Sequence, residues 1–222
     1  MDFMKLFKSL EELLYEVIVM LVFFPKTLWL TLRYPQRMMD YADTELGDVL
    51  SEQYNDTLSP PLFLMLCVAL SYMAERAVPG SLDTSALPSF LRDSQNLLAF
   101  RVLIFSLFPL AFSLRLLSGL GAALDRDTLR APFFAQCFVA APLAMIVGLA
   151  QALRNLPLDH AGPASTLLLL FAAGWYLRQQ AWWLRTKLAL PMWRCWAATL
   201  AMTLVTAIVF VVVALAIIVV NP

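Results

Sequence analysis

The sequence predicts an all-α polytopic membrane protein, and three observations carry that prediction. Residues 196–220, WAATLAMTLVTAIVFVVVALAIIVV, run for 25 positions without a charge. At about 1.5 Å per residue this exceeds the ~30 Å hydrocarbon core of a bilayer. Residues 131–153 give a second uncharged run of 23. The chain as a whole is 61% hydrophobic and only 14% charged, against about 25% charged for soluble domains. The Val, Ile and Thr content of 196–220 would suit a strand in water. In lipid, however, only a helix satisfies every backbone N–H and C=O within one segment. The expected architecture is five transmembrane helices, 60–78, 96–118, 131–153, 163–183 and 196–220. An amphipathic interfacial helix within 1–35 and an acidic cytoplasmic segment, 36–59, precede the transmembrane domain, 60–222.

Each element has its own signal. In 3–24, Phe3, Leu6, Phe7, Leu10, Leu13, Leu14, Val17, Ile18 and Leu21 recur at helical spacing, with Lys5, Lys8, Glu11, Glu12 and Glu16 between them. That pattern favours a helix lying in the interface, which Pro25 is expected to end. Trp29, Arg33 and Tyr34 read as headgroup anchors. In the acidic segment Glu45, Asp48, Glu52 and Asp56 would form one ridge on a helix, a docking surface for a basic partner or a divalent cation, or else a solvated face. Ser59-Pro60-Pro61 opens the first span, since proline is tolerated in a first turn. Residues 79–93 carry turn residues at Pro79-Gly80, Ser81 and Pro88.

Arg101 and Arg115 bracket thirteen uncharged residues of the second span and can reach toward opposite headgroup layers. Pro109 and Pro142 should bend the helices that contain them. In the third span Ala140, Ala144, Gly148 and Ala152 lie four apart, a ridge of small residues that permits close helix approach. The fourth span runs into WYLRQQAWWLRTKLALPMWRC, 175–195, which holds four of the six tryptophans and four of the sixteen basic residues.

Charge sets the expected orientation. Basic and acidic residues balance at sixteen each, which excludes a globally basic nucleic-acid binder, but ten acids precede residue 57. Twelve Lys and Arg fall in the N-terminal region, the 115–130 connection and the 178–195 segment, whereas Arg76, Arg92 and Arg154 fall on the other face. The positive-inside rule then predicts a cytoplasmic N-terminus and an external C-terminus. The N-terminal stretch is charged throughout and has no cleavage signature, so no signal peptide is expected.

Residues for catalysis are scarce. Cys67, Cys137 and Cys195 are scattered, and His160 is the only histidine. These cannot supply a zinc site or a Ser-His nucleophile pair. Gly119-Leu120-Gly121 lacks the Lys-Ser or Lys-Thr of a phosphate loop. No cofactor and no enzymatic role are expected. Arg101, within a span, would cost about 2.5–3.5 kcal/mol at the helix centre. It either extends to the interface or pairs with Glu75.

FPKTLW at 24–29, a polar segment, a Pro-led first span, LRAPFFAQCFVAAPL at 129–143 and a penultimate span ending WYLRQQAWWLR resemble the bacterial branch of the Ypt-interacting-protein (Yip) family. That resemblance implies a non-enzymatic scaffold or accessory subunit of a bacterial inner membrane, with the bilayer and a membrane protein or a second copy as partners. The contrasting expectation is an oligomeric small-solute permease or channel lined by Gln95, Asn96, Arg101, Gln136 and Gln151.

Overall fold

The computed structural model describes residues 3–47, 53–80 and 88–220. Among these the chain forms seven α-helices: α1 Phe3–Arg33, α2 Pro35–Glu45, α3 Pro60–Ala77, α4 Ser94–Leu120, α5 Arg126–Arg154, α6 Ala161–Leu188 and α7 Met192–Val220. A 3-10 turn, Ser89–Leu91, precedes α4. Each helix boundary has a local cause. Asp125 caps α5, its Oδ1 accepting from the N–H of Asp127 (2.9 Å) and Thr128 (2.8 Å). Thr128 Oγ1 accepts the Asp125 N–H in return (3.1 Å), completing a capping box. Gly121 takes the left-handed conformation (φ 65°) that stops α4. Ala189 (φ 51°), followed by Pro191, separates α6 from α7. The aromatic and basic stretch at 175–195 is therefore helical down to Leu188, and the break before α7 is only three residues long.

Helix α5 lies at the centre. It packs against α1, α2, α3, α4 and α6, and residues 135–144 are buried without interruption. Such a segment is apolar on every side because protein surrounds it on every side. Helices α3 and α5 run parallel: Phe63, near the start of α3, meets Phe138 in the middle of α5 (ring centroids 6.1 Å), and Ser71 meets Gly148 further along both. Helix α4 runs the opposite way, its early residue Arg101 paired with late Glu75 of α3. Helix α6 also runs opposite to α5, as Ser165 Oγ donates to Ala150 O at 2.8 Å. Residues 33–47 and 53–58, the 115–130 connection and the end of α6 gather at one end of the bundle. Lys187–Asp43 (2.8 Å), Gln36–Gln179 (3.0 Å) and Tyr54–Phe134 (centroids 6.4 Å) join them there.

Four helices are long and apolar enough to cross a membrane: α1 from Phe7, α4, α5, and α7 as far as Val213. This set differs from the five spans expected from sequence. Helices α3 and α6 occupy the expected positions but fall outside it. Helix α3 starts with two prolines and ends in Glu75-Arg76, while α6 carries Arg178, Arg185 and Lys187.

Pro25 also departs from expectation: it does not end α1, which continues to Arg33. A proline costs one helical hydrogen bond, a loss that tertiary contacts elsewhere on the helix can outweigh. Here Thr27 Oγ1 accepts the Leu58 N–H (3.1 Å), Lys26 Nζ donates to Asp56 O (2.7 Å), and Phe24 stacks near Phe63 (5.7 Å). The continuous helix brings α1 to a length that could span.

The small residues Ala140, Ala144, Gly148 and Ala152 are all buried. A Cβ added at Gly148 would lie 2.6 Å from both Cβ and Oγ of Ser71. Gly148→Leu and Ala144→Leu are therefore expected to lose at least ~1–3 kcal/mol by overpacking. Leu167→Ala and Leu170→Ala, on an exposed face of α6, should cost far less. Thermal unfolding in detergent measures this. Two leucine variants with the parent's melting temperature and native-gel mobility would show that the seam is not tight.

Candidate functional site

A cavity of about 240 Å³ opens beside the point where α3 and α5 touch. Ser71 and Gly148 form one wall, and one turn further along the same helices lie Glu75 and Gln151. Arg101 enters from α4, Phe210 from α7, and Leu97, Ile104 and Val147 make the remainder apolar. The Arg101 guanidinium donates to a Glu75 carboxylate oxygen. Glu75 is 4% exposed. Tyr72 lies between two cations, 5.1 Å from the Arg101 guanidinium and 5.9 Å from that of Arg76. The electron-rich face of the ring adds a cation–π attraction of about 0.5–2 kcal/mol per favourable contact. A charge that would be expensive at membrane depth is thus neutralised on one side and covered by a ring on another.

The other polar groups at membrane depth do not reach this cavity, apart from Gln151. Gln136 is fully buried and accepts a hydrogen bond from Gln180 Nε2. Along α5 it lies about 22 Å from Gln151. Gln95 is exposed, and Asn96 Nδ2 donates to Phe90 O at 2.8 Å. Around the Gln136–Gln180 pair, Gln136 Nε2, Gln180 Oε1 and the Tyr176 hydroxyl are buried without a hydrogen-bond partner. Gln180 was not singled out by sequence. Its signal is a second amide directly after Gln179, in a stretch otherwise aromatic and basic.

Among the described residues of the acidic segment, Glu45 and Asp56 do not lie on one ridge. Helix α2 ends at Glu45, so Glu45 and Asp56 share no helical face, and Asp48 and Glu52 lie outside the described residues. Glu45 and Asp56 are instead engaged within the chain. Glu45 Oε2 accepts the Tyr54 N–H at 2.6 Å. This contact helps hold Tyr54 in the left-handed region (φ 58°), a costly conformation for an aromatic residue. Asp56 Oδ1 accepts from the Tyr41 hydroxyl at 2.6 Å, and Lys26 lies 3.5 Å from its other oxygen. The Tyr41 hydrogen bond and the Lys26 charge hold the Asp56 carboxyl below its ordinary value. Burial, then the Asp56 hydrogen bond, pushes the Tyr41 phenol up.

Lys187 bridges Asp40 (3.0 Å) and Asp43 (2.8 Å), tying α2 to the end of α6. Burial alone would lower the Lys187 pKa, but the two carboxylates outweigh it and hold the ammonium above its ordinary value. Among the described residues no group of three or more His, Cys, Asp or Glu is arranged to hold a metal ion. His160 caps the start of α6 without a side-chain bond and is exposed. The three cysteines are free and buried.

The helical architecture and its four long apolar helices fit a membrane protein. No family model, curated protein or solved structure matches the chain.

Two predictions follow from these contacts. Glu75→Ala leaves Arg101 partly buried without its neutralising carboxylate and should cost about 3–5 kcal/mol. Glu75→Arg combined with Arg101→Glu should recover part of the lost thermal stability. A silent Glu75→Ala would mean that the guanidinium is solvated rather than neutralised by this contact.

The second concerns pH. The Asp56 pKa is lowered on folding, so its contribution is present above the ordinary value of 3.8 and is lost as pH falls through the folded value. The carboxylate is largely exposed, so its charge is worth only about 0–1 kcal/mol. The melting-temperature gap between the parent and Asp56→Asn should be full at about pH 6 and close below the folded pKa. A gap that stays constant across that range would contradict the assignment.

Proposed function

We propose that this chain is a non-enzymatic integral membrane subunit that organises an assembly in a bacterial inner membrane. One observation carries the reading against a permease: the membrane-depth polar groups close on each other in separate places. Arg101 is engaged by Glu75 and Gln136 by Gln180, and Gln136 lies about 22 Å along α5 from Gln151, the α5 residue that lines the cavity beside Arg101. A solute path would need them to converge. The cavity beside Arg101 is the feature that favours the permease, and a flux measurement decides between the two. The pattern resemblance to the bacterial Yip branch points toward an organiser as well.

In this reading α3 to α7 make five alternating passes. Helices α3 and α6 can be less apolar than lipid-facing helices because each packs along α5 and also touches α4. The end carrying Arg115, Arg130, Arg178 and Lys187 faces the cytoplasm, following the positive-inside rule. The C-terminus is then external. Helix α1 lies along the cytoplasmic interface. Phe7, Leu10, Leu14, Val17 and Leu21 are exposed along it, available to lipid or to a membrane-protein partner or second copy.

Detergent extraction of a tagged chain from its native membrane tests the function. A second protein at fixed stoichiometry, with liposomes of the purified chain remaining tight, is the expected result. A lone homo-oligomer that passes small solutes would overturn it. Reporter fusions at residues 2, 45 and 222 test the topology: 2 and 45 should report one side and 222 the other. Residue 2 reporting opposite to 45 would make α1 itself a span.

A further inference from the structure

A second cavity, about 450 Å³, lies where α1 breaks into α2 beside α6. This is within the ~300–1,000 Å³ range of small-molecule pockets. Three guanidinium groups line it: Arg33 closes α1, Arg37 lies in the first turn of α2, and Arg178 comes from α6. Trp175 and Trp182 stand three residues before and four after Arg178, so all three share one face of α6. Gln36 Nε2 donates both to Gln179 O (3.0 Å) and to Gln179 Oε1 (3.1 Å), joining α2 to α6 across the cavity.

Among the described residues none of the three arginines forms an ion pair, whereas Lys26, Arg101 and Lys187 each do. All three are exposed, so their guanidinium groups are open to an anion from outside the chain. Guanidinium forks match phosphate oxygens two at a time. The two tryptophans are amphipathic rings of the kind that settle at headgroup depth. The first-turn N–H groups of α2 have no side-chain cap and add partial positive charge to the same cavity.

We propose that this cavity binds the phosphate headgroup of an anionic phospholipid, with the acyl chains lying along α6 beside Trp175 and Trp182. The carrying juxtaposition is three unpaired arginines and two interfacial tryptophans around one cavity. A free phosphate would satisfy the arginines but not the rings, and a zwitterionic lipid would bring a choline cation against the cluster. The inference is separate from the scaffold reading. Lipid selectivity can fail while the co-purification succeeds, and the reverse also holds.

The test uses the full chain in non-ionic detergent, titrated with phosphatidylglycerol, phosphatidylcholine or inorganic phosphate while thermal unfolding is followed. Phosphatidylglycerol should raise the melting temperature at concentrations where the other two do nothing. A juxtamembrane cation is worth about 1 kcal/mol toward an anionic surface, so Arg33→Gln and Arg178→Gln should each weaken the apparent affinity on the order of fivefold. Arg178→Lys should fall between parent and Arg178→Gln, keeping the charge but losing the fork. Arg154→Gln, at the other end of the bundle, should titrate like the parent. The lipid-free melting temperature of each variant reports its folding separately. If Arg178→Gln fails to fold, Arg33→Gln alone carries the test. Equal shifts with phosphatidylcholine would overturn the proposal, as would parent-like titration by folded arginine variants. An equal shift with inorganic phosphate would replace the lipid with a soluble anion.

Discussion

The close approach of α3 and α5 at Ser71 and Gly148 is the constraint on which the rest of the bundle depends. Between helices in lipid there is little hydrophobic driving force, because the surrounding tails are as apolar as leucine. Association then relies on dispersion, which decays steeply once surfaces separate by even 0.5–1 Å. Gly148 lets the α5 backbone come so near that even a Cβ there would meet Ser71 at 2.6 Å. With α3 held parallel and close, α4 and α6 pack around α5 and complete its burial. The same contact places Glu75 one turn beyond Ser71, where Arg101 of α4 reaches it. Packing of small residues thus positions the ion pair.

Charge is divided between the two ends. One end has the closed Glu75–Arg101 pair and its cavity. The other gathers most of the basic residues together with the acidic segment, where Lys187 and Lys26 are neutralised by Asp40, Asp43 and Asp56. Arg33, Arg37 and Arg178 remain unpaired there and share a cavity with two tryptophans. Pairing some cations with acids of the same chain leaves a defined set for an external anion. The left-handed Tyr54 belongs to this end too. Its N–H is held by Glu45 and its ring by Tyr41 (centroids 6.0 Å) and Phe134. A strained residue persists where its neighbours fix it on several sides.

Much of this was legible in the sequence, for reasons that differ between elements. The uncharged runs at 131–153 and 196–220 announced α5 and α7 through length alone. The four-residue spacing of Ala140, Ala144, Gly148 and Ala152 marked a single helix face, since such neighbours stack one above the other. The outcome at Pro25 was hidden because continuation depends on Thr27 and Lys26 meeting residues 56–58, contacts made by folding rather than by local preference. Glu45 and Asp56 do not share a helical face for a related reason: α2 stops at Glu45, and Asp56 is drawn into contact with Tyr41 and Lys26. Helices α3 and α6 show that apolarity alone does not tell which helices pack along α5. The face turned to α5 can carry polar residues such as Ser71 and Ser165, while Leu167 and Leu170 of α6 stay exposed on another face.

The most direct measurement of the central claim is a double-mutant cycle between Ser71 and Gly148, read as thermal stability in detergent. Gly148→Ala alone places a methyl group against Ser71 and should destabilise the chain. Ser71→Gly removes the opposing Cβ and Oγ, so Gly148→Ala should cost much less in that background. The account predicts a favourable coupling of about 0.5–3 kcal/mol, the range for residues in contact. Strictly additive effects would contradict it, because the two helices would then not be held together at this point.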